Sequence, residues 1–431
     1  MICQHNLNIS SLDDLEISTH ILKNSIFING QKAFDPSTMV HMRDRVVLLG
    51  LVVTPFLVLG PTYMTAPKFS YGLLVLIFAI HILFKEDWAT SKFRYVFISA
   101  FLLVTLVLTA TIVGLAKKNS FESLTTAFNV LIPALWLITI PYASNKVSRE
   151  FLLKVIYFLG FFASIVTFYK WSALRGYLNF SFDVKPFDSD WNIFLILIVT
   201  LFLWGRFGKK EKTLYFSILL FSILLSMLSG TRTLIYVYGY VVILSMFFLK
   251  KQIFQIFTIC FSFILAFYFL FPVLSDPLQR RYLDLASQFT SIGFFQYIYG
   301  FDASTNLRHI QREYYKSIWL ENTFFGTGIG QSTAQANLVA DTPYAFLAQF
   351  GLFGAFFLVF ILSYLLVSTG RSIRGRSLED AKMLALYLMC LFPVSIAYNW
   401  TLHKSFWLSL SCLLGYALNK EDKPKKIGHR V

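Results

Sequence analysis

Apolar residues in this chain come in long unbroken runs, separated by short polar stretches that carry most of its charge. Twelve runs stand out, at 46–62, 69–84, 95–115, 125–143, 151–169, 191–205, 213–229, 233–249, 253–272, 344–367, 383–399 and 405–418. A helix needs about 20 apolar residues to cross the hydrocarbon core of a bilayer. The pattern therefore predicts an all-α, polytopic membrane protein with about 12 transmembrane helices. The chain then divides into an N-terminal tail (1–44), nine spans (45–272), a large polar loop (273–343), three spans (344–418) and a C-terminal tail (419–431).

The polar segments add detail. The first 44 residues are mixed, so no cleavable signal peptide is expected, and a short amphipathic helix is predicted over 12–22. The loop between the ninth and tenth runs is too long for a connector and is a functional candidate. Helices are predicted within it over 278–289 and 308–320. The glycine-rich segment 326–330 breaks the second.

Composition removes the soluble classes. The 431 residues are 56% hydrophobic, 18% aromatic and 14% charged, with mean hydropathy +0.62. A soluble domain carries about 25% charged residues. The net charge of +15 first invites a nucleic-acid reading, but its distribution opposes it. With the N-terminus cytoplasmic, 24 of the 38 Lys and Arg fall on the inner side, among them Arg43, Lys85, Lys146, Arg149, Arg206 and Lys382. That is the positive-inside bias. It predicts both termini in the cytoplasm and the 276–342 segment outside. The four cysteines have no disulfide or zinc spacing and the seven histidines are scattered, so no metal or cofactor is expected.

Few residues carry candidate chemistry. Arg232 follows Ser229, Gly230 and Thr231 in a tight hairpin between two apolar runs, and a charge beside hydrocarbon is costly and usually functional. Its guanidinium is a planar fork of donors suited to phosphate. The bland alternative is an arginine snorkelling to headgroups. Arg308, Arg312 and Lys316 are spaced i, i+4, i+8 and share one helix face, which fits a pyrophosphate or a solvated face on anionic lipid. Tyr314, Tyr315 and Trp319 are candidates to stack on sugar rings, or interface-belt aromatics. Asp341 stands before Thr342 and Pro343, where an Asp or Thr cap with Pro in the first turn is an ordinary helix start; near arginines it is also a candidate general base. The 326–330 glycines follow a helix rather than a strand, so a dinucleotide loop is not expected. No Asp or Glu lies in the middle of any run, which weakens an ion-coupled transporter.

The order of these pieces resembles the O-antigen polymerase and ligase superfamily of bacterial envelopes. Its members have many spans, a Ser-x-(Ser/Thr)-Arg element opening a helix on the periplasmic side, then a large periplasmic loop. A second arginine precedes a Gly-x-Gly turn, and the next span carries Gly-x-x-Gly. The matching residues are Ser229 to Arg232, Arg308 ahead of 326–330, and Gly351 with Gly354, within about 214–366. The ligases place a histidine about ten residues before Gly-x-x-Gly. Here that position falls at Ala340 or Asp341, and no histidine occurs between His309 and His403.

The resemblance thus implies a polymerase with a C-type glycosyltransferase-like fold in the bacterial inner membrane. It would polymerise oligosaccharide repeat units carried on undecaprenyl pyrophosphate. Arg232, Arg308 and Asp341 would be catalytic, with Arg312, Lys316 and Tyr315 on the pyrophosphate and glycan. Expected partners are the lipid-linked donor and acceptor, membrane lipid and a chain-length regulator, and no nucleic acid. A ligase acting on lipid A-core, and a flippase or other transporter, remain as alternatives.

Overall fold

The computed structural model describes residues 36–58, 65–85, 93–117, 120–174, 190–228, 232–249, 253–273, 279–280, 283, 303–329, 343–374, 377–391 and 404–419. Every regular element among them is helical. The order begins α1 (Pro36–Val58), α2 (Thr65–Lys85), α3 (Arg94–Ala116), α4 (Ser120–Ser144), α5 (Arg149–Leu174), α6 (Asp190–Leu203) and α7 (Lys209–Leu228). It continues α8 (Arg232–Phe248), α9 (Ile253–Leu270), α10 (Ala303–Glu321), α11 (Pro343–Tyr364), α12 (Leu378–Met389) and α13 (Lys404–Leu418). Each apolar run coincides, wholly or in part, with one of these helices. The additional helix, α10, is polar and strongly amphipathic.

Three helices among the described residues are long and apolar enough to cross a membrane: Arg94–Ala116, Arg149–Tyr169 and Tyr344–Arg374. The last continues α11 through a π-helical turn at 365–369 and one α-helical turn beyond. Other apolar helical stretches whose side chains are described are shorter, such as Leu131–Ser144 and Trp191–Arg206. The 14 residues of α6 span about 21 Å, against roughly 30 Å of hydrocarbon.

Parts of three helices sit deepest. Residues 191–203 of α6 and 405–418 of α13 are all buried, as is 132–144 of α4. A helix apolar on every side is stable only when covered on every side. Accordingly α4 packs against α1, α2, α3 and α13, while α6 packs against α5, α7, α8, α12 and α13. Some polar groups in this core pair with one another. The Ser409 hydroxyl donates to Asn192 Oδ1 at 2.7 Å, Tyr157 and Thr200 hydroxyls meet at 2.6 Å, and Trp136 Nε1 donates to the Tyr71 hydroxyl at 2.7 Å.

The outside of the bundle is the reverse of a soluble surface. Phe254, Phe257, Phe261, Ile264 and Tyr268 of α9 are exposed, as are Phe356, Val359 and Phe360 of α11. Apolar faces of that extent need a covering, and a lipid bilayer supplies one.

Candidate functional site

Ring and backbone contacts fix which helix ends lie together. Trp191, second in α6, meets Phe406, third in α13, at 5.0 Å between centroids. Phe194 meets Tyr238 of α8 at 5.4 Å. Arg232 begins α8 six residues ahead of Tyr238, roughly 9 Å further toward that same end. At the opposite end, Asn419 beyond α13 donates to the carbonyls of Ser144 and Val147, at 2.9 and 3.0 Å. So α4 and α13 run parallel, and the start of α4 shares its end with Arg232. The close of α3 lies there too. Arg43, Lys146, Arg149 and Arg206 gather at the other end.

Beside the close of α3, the chain after α10 is pinned into a break in α11. Gly351 has φ of +65° and interrupts the helix. An unbroken helix would bond Leu352 N to Ala348 O and Phe353 N to Gln349 O. Both pairs are exchanged. Leu352 N donates to Thr323 O at 2.9 Å and Phe353 N to Phe324 O at 3.0 Å. Ala348 O and Gln349 O accept from Thr327 N at 2.7 Å and Gly328 N at 2.9 Å. Ile329 N reaches Ala110 O of α3 at 3.0 Å. Irregular backbone at membrane depth is tolerated only when protein satisfies it, and this exchange does so.

Glycine makes the approach feasible. Gly326 and Gly328 have φ of +69° and +83°, a region that costs other residues energy. A Cβ on Gly328 would lie 2.7 Å from Ala110 O. Lys117, at the end of α3, clamps the turn by donating to Gly326 O at 3.1 Å and to Asn322 Oδ1. The amides of Gly326, Thr327, Gly328 and Ile329 all donate to backbone carbonyls. None is available to cradle a phosphate, in keeping with a turn rather than a phosphate loop. The freed helix start at Leu352 and Phe353 is likewise consumed. Any anion bound here would have to be held by side chains.

The candidate cations Arg308, Arg312 and Lys316 are on α10, which packs against the start of α11. Gln311 and Tyr315 form its buried stripe, and Arg312 and Lys316 are half-buried beside it. Lys316 Nζ sits 3.5 Å from Glu313 Oε2, an exposed pair worth little. Tyr315 is 5% exposed and packs on Ala345 and Ala348, so stacking on a sugar would require those contacts to open. Trp319 faces Tyr344 at 5.9 Å and donates through Nε1 to Thr323 O at 3.2 Å. Arg308 lies within α10 and Arg232 at the first position of α8. Their side chains, and the whole of Asp341, lie outside the described part, as do the predicted helix over 12–22 and most of that over 278–289. The expected helix start after Asp341 is present, with α11 beginning at Pro343.

The sequence reading missed two features. Lys117, which clamps the turn, is not among the residues the sequence singles out. Arg149 and Asp380 form an ion pair between α5 and α12, with Asp380 1% exposed. The Arg149 guanidinium also lies 4.1 Å from the Tyr416 ring centroid. Both residues border apolar runs, and nothing in their spacing announces the pairing. No protein-family model matches the chain, and no curated protein matches it in sequence.

Proposed function

We propose that this chain is a polysaccharide polymerase that crosses the bacterial inner membrane about twelve times, with both termini in the cytoplasm and α10 at the periplasmic face. One observation supports the reading: the helix carrying Arg308, Arg312 and Lys316 is docked on a broken helix at the bundle end where α8 begins with Arg232. A cationic helix beside a membrane surface suits a lipid-linked pyrophosphate.

The donor is a growing glycan on undecaprenyl pyrophosphate and the acceptor is one repeat unit on the same carrier. An acceptor sugar hydroxyl attacks the donor's anomeric carbon. A glycosidic C–O bond forms as the bond from that carbon to the phosphate oxygen breaks, and its electron pair leaves on the pyrophosphate. Asp341 takes the hydroxyl proton. Arg232 and Arg308, with Arg312, stabilise the departing charge, and Lys316 contacts the same group. Tyr315 holds α10 against α11, which sets where those cations stand. Removing one such donor typically costs about a hundred-fold or more in rate.

The test is Arg232→Ala and Arg308→Ala in cells that depend on this chain for surface polysaccharide. Each variant should abolish long polymer while protein level is unchanged. Arg232→Lys should also fail, because a point charge does not replace the planar fork. Normal polymer from both alanine variants would sink the proposal.

A further inference from the structure

At the end of the bundle away from α10, helices α1, α2 and α4 border a half-open cavity of about 380 Å³. Arg43 and Asp44 of α1, His81 and Lys85 of α2, and Tyr142 of α4 with Lys146 just beyond it line the cavity. Part of the lining is aromatic: Phe78 meets Tyr142 edge-on at 6.4 Å. Lys146 Nζ stands 5.2 Å from the Tyr142 ring centroid. Among the described residues, three basic side chains thus line the cavity with one carboxylate. That carboxylate is already near Arg43, at 3.6 Å. Lys85 and Lys146 have no carboxylate within ion-pair distance among the described residues.

Lys85 and Lys146 are both exposed at the rim of this cavity, and like charges lining one opening favour an anion between them. The opening is too large for a single counter-ion and falls in the size range of small-molecule sites. Basic pockets between membrane helices at this depth recognise phosphate-bearing headgroups. We infer that this cavity is a binding site for a phosphate group, presented by an acidic phospholipid of the adjoining leaflet or by a free phosphate compound. Lys85, Lys146 and Arg43 hold the phosphate oxygens. Phe78 and Tyr142 carry the apolar part of the ligand. The site stands at the other end of the bundle from α10 and does not rest on the polymerase reading.

The test uses the full chain, purified in detergent, stripped of lipid and titrated with cardiolipin under native mass spectrometry. Lys85→Gln with Lys146→Gln should weaken cardiolipin binding roughly thirty-fold, from about a five-fold loss per surface cation. Lys209→Ala with Lys210→Ala removes two exposed charges outside the cavity and should leave binding unchanged. Adding inorganic phosphate separates the sources. Displacement of cardiolipin identifies phosphate itself as the ligand, and retention identifies the lipid; both uphold the site. Equal binding by wild type and the cavity variant, or equal loss in the Lys209 and Lys210 variant, would overturn it. Should the double variant fail to fold, the single variant Lys85→Gln at an exposed position carries the test, with a five-fold loss expected and no loss overturning the site.

Discussion

Gly326 and Gly351 face each other backbone to backbone: a Cβ on Gly351 would lie 2.6 Å from Gly326 N, and a Cβ on Gly326 would lie 2.7 Å from Gly351 N. Both also hold positive φ, at +69° and +65°. Neither position can accept a side chain without separating the turn from the helix break. Gly326→Ala or Gly351→Ala should therefore cost about 2–4 kcal/mol, read as a lowered unfolding midpoint in detergent. Gly239 in α8 has nothing within 4 Å of its Cβ position. Gly239→Ala in the same assay should be neutral or stabilise by about 0.5 kcal/mol.

Lys117 ties the close of α3 to the turn through Gly326 O and Asn322. Its side chain is exposed, so Lys117→Met should cost less than about 1 kcal/mol and leave the fold intact. Its effect should be local. Proteolytic cleavage within 322–329 should quicken while the global unfolding midpoint barely moves.

The ion pair of Arg149 with Asp380 bridges α5 and α12 in a nearly dry setting. Asp380→Leu strands the guanidinium and should cost about 3 kcal/mol. Arg149→Met should be comparably damaging. The double variant should unfold later than either single one, since it leaves no uncompensated charge. A double variant weaker than both would mean the pair contributes net stability beyond mutual compensation.

Ser409 is the donor to Asn192 Oδ1 between α13 and α6. Ser409→Ala leaves that oxygen without its donor in the core and should cost about 1 kcal/mol. Thermal unfolding of the purified variant measures it directly.

Much of the fold is readable in the residues. Runs such as 95–115 and 151–169 appear as α3 and α5, because twenty apolar residues in a row have few alternatives to a helix. Helix ends are less readable: α1 starts at Pro36, ten residues before its apolar run, because polar residues extend a helix without changing the pattern. The number of crossings is also not settled by length, since α6 is short and enclosed. At the site, the spacing of Arg308, Arg312 and Lys316 does predict a helix, and α10 covers them. The insertion of 323–329 into α11 leaves no trace in periodicity. It is made of backbone hydrogen bonds, and only Gly326, Gly328 and Gly351 hint that something comes close.

Whether this chain builds polymer is tested most directly by deleting its gene from its source organism and resolving the surface polysaccharide on a gel. If the chain polymerises repeat units, the ladder collapses to core bearing a single unit, and restoring the chain with Arg232→Ala does not bring the ladder back. Bare core, with long polymer retained on the lipid carrier, would contradict the proposal and identify a ligase lacking the expected histidine.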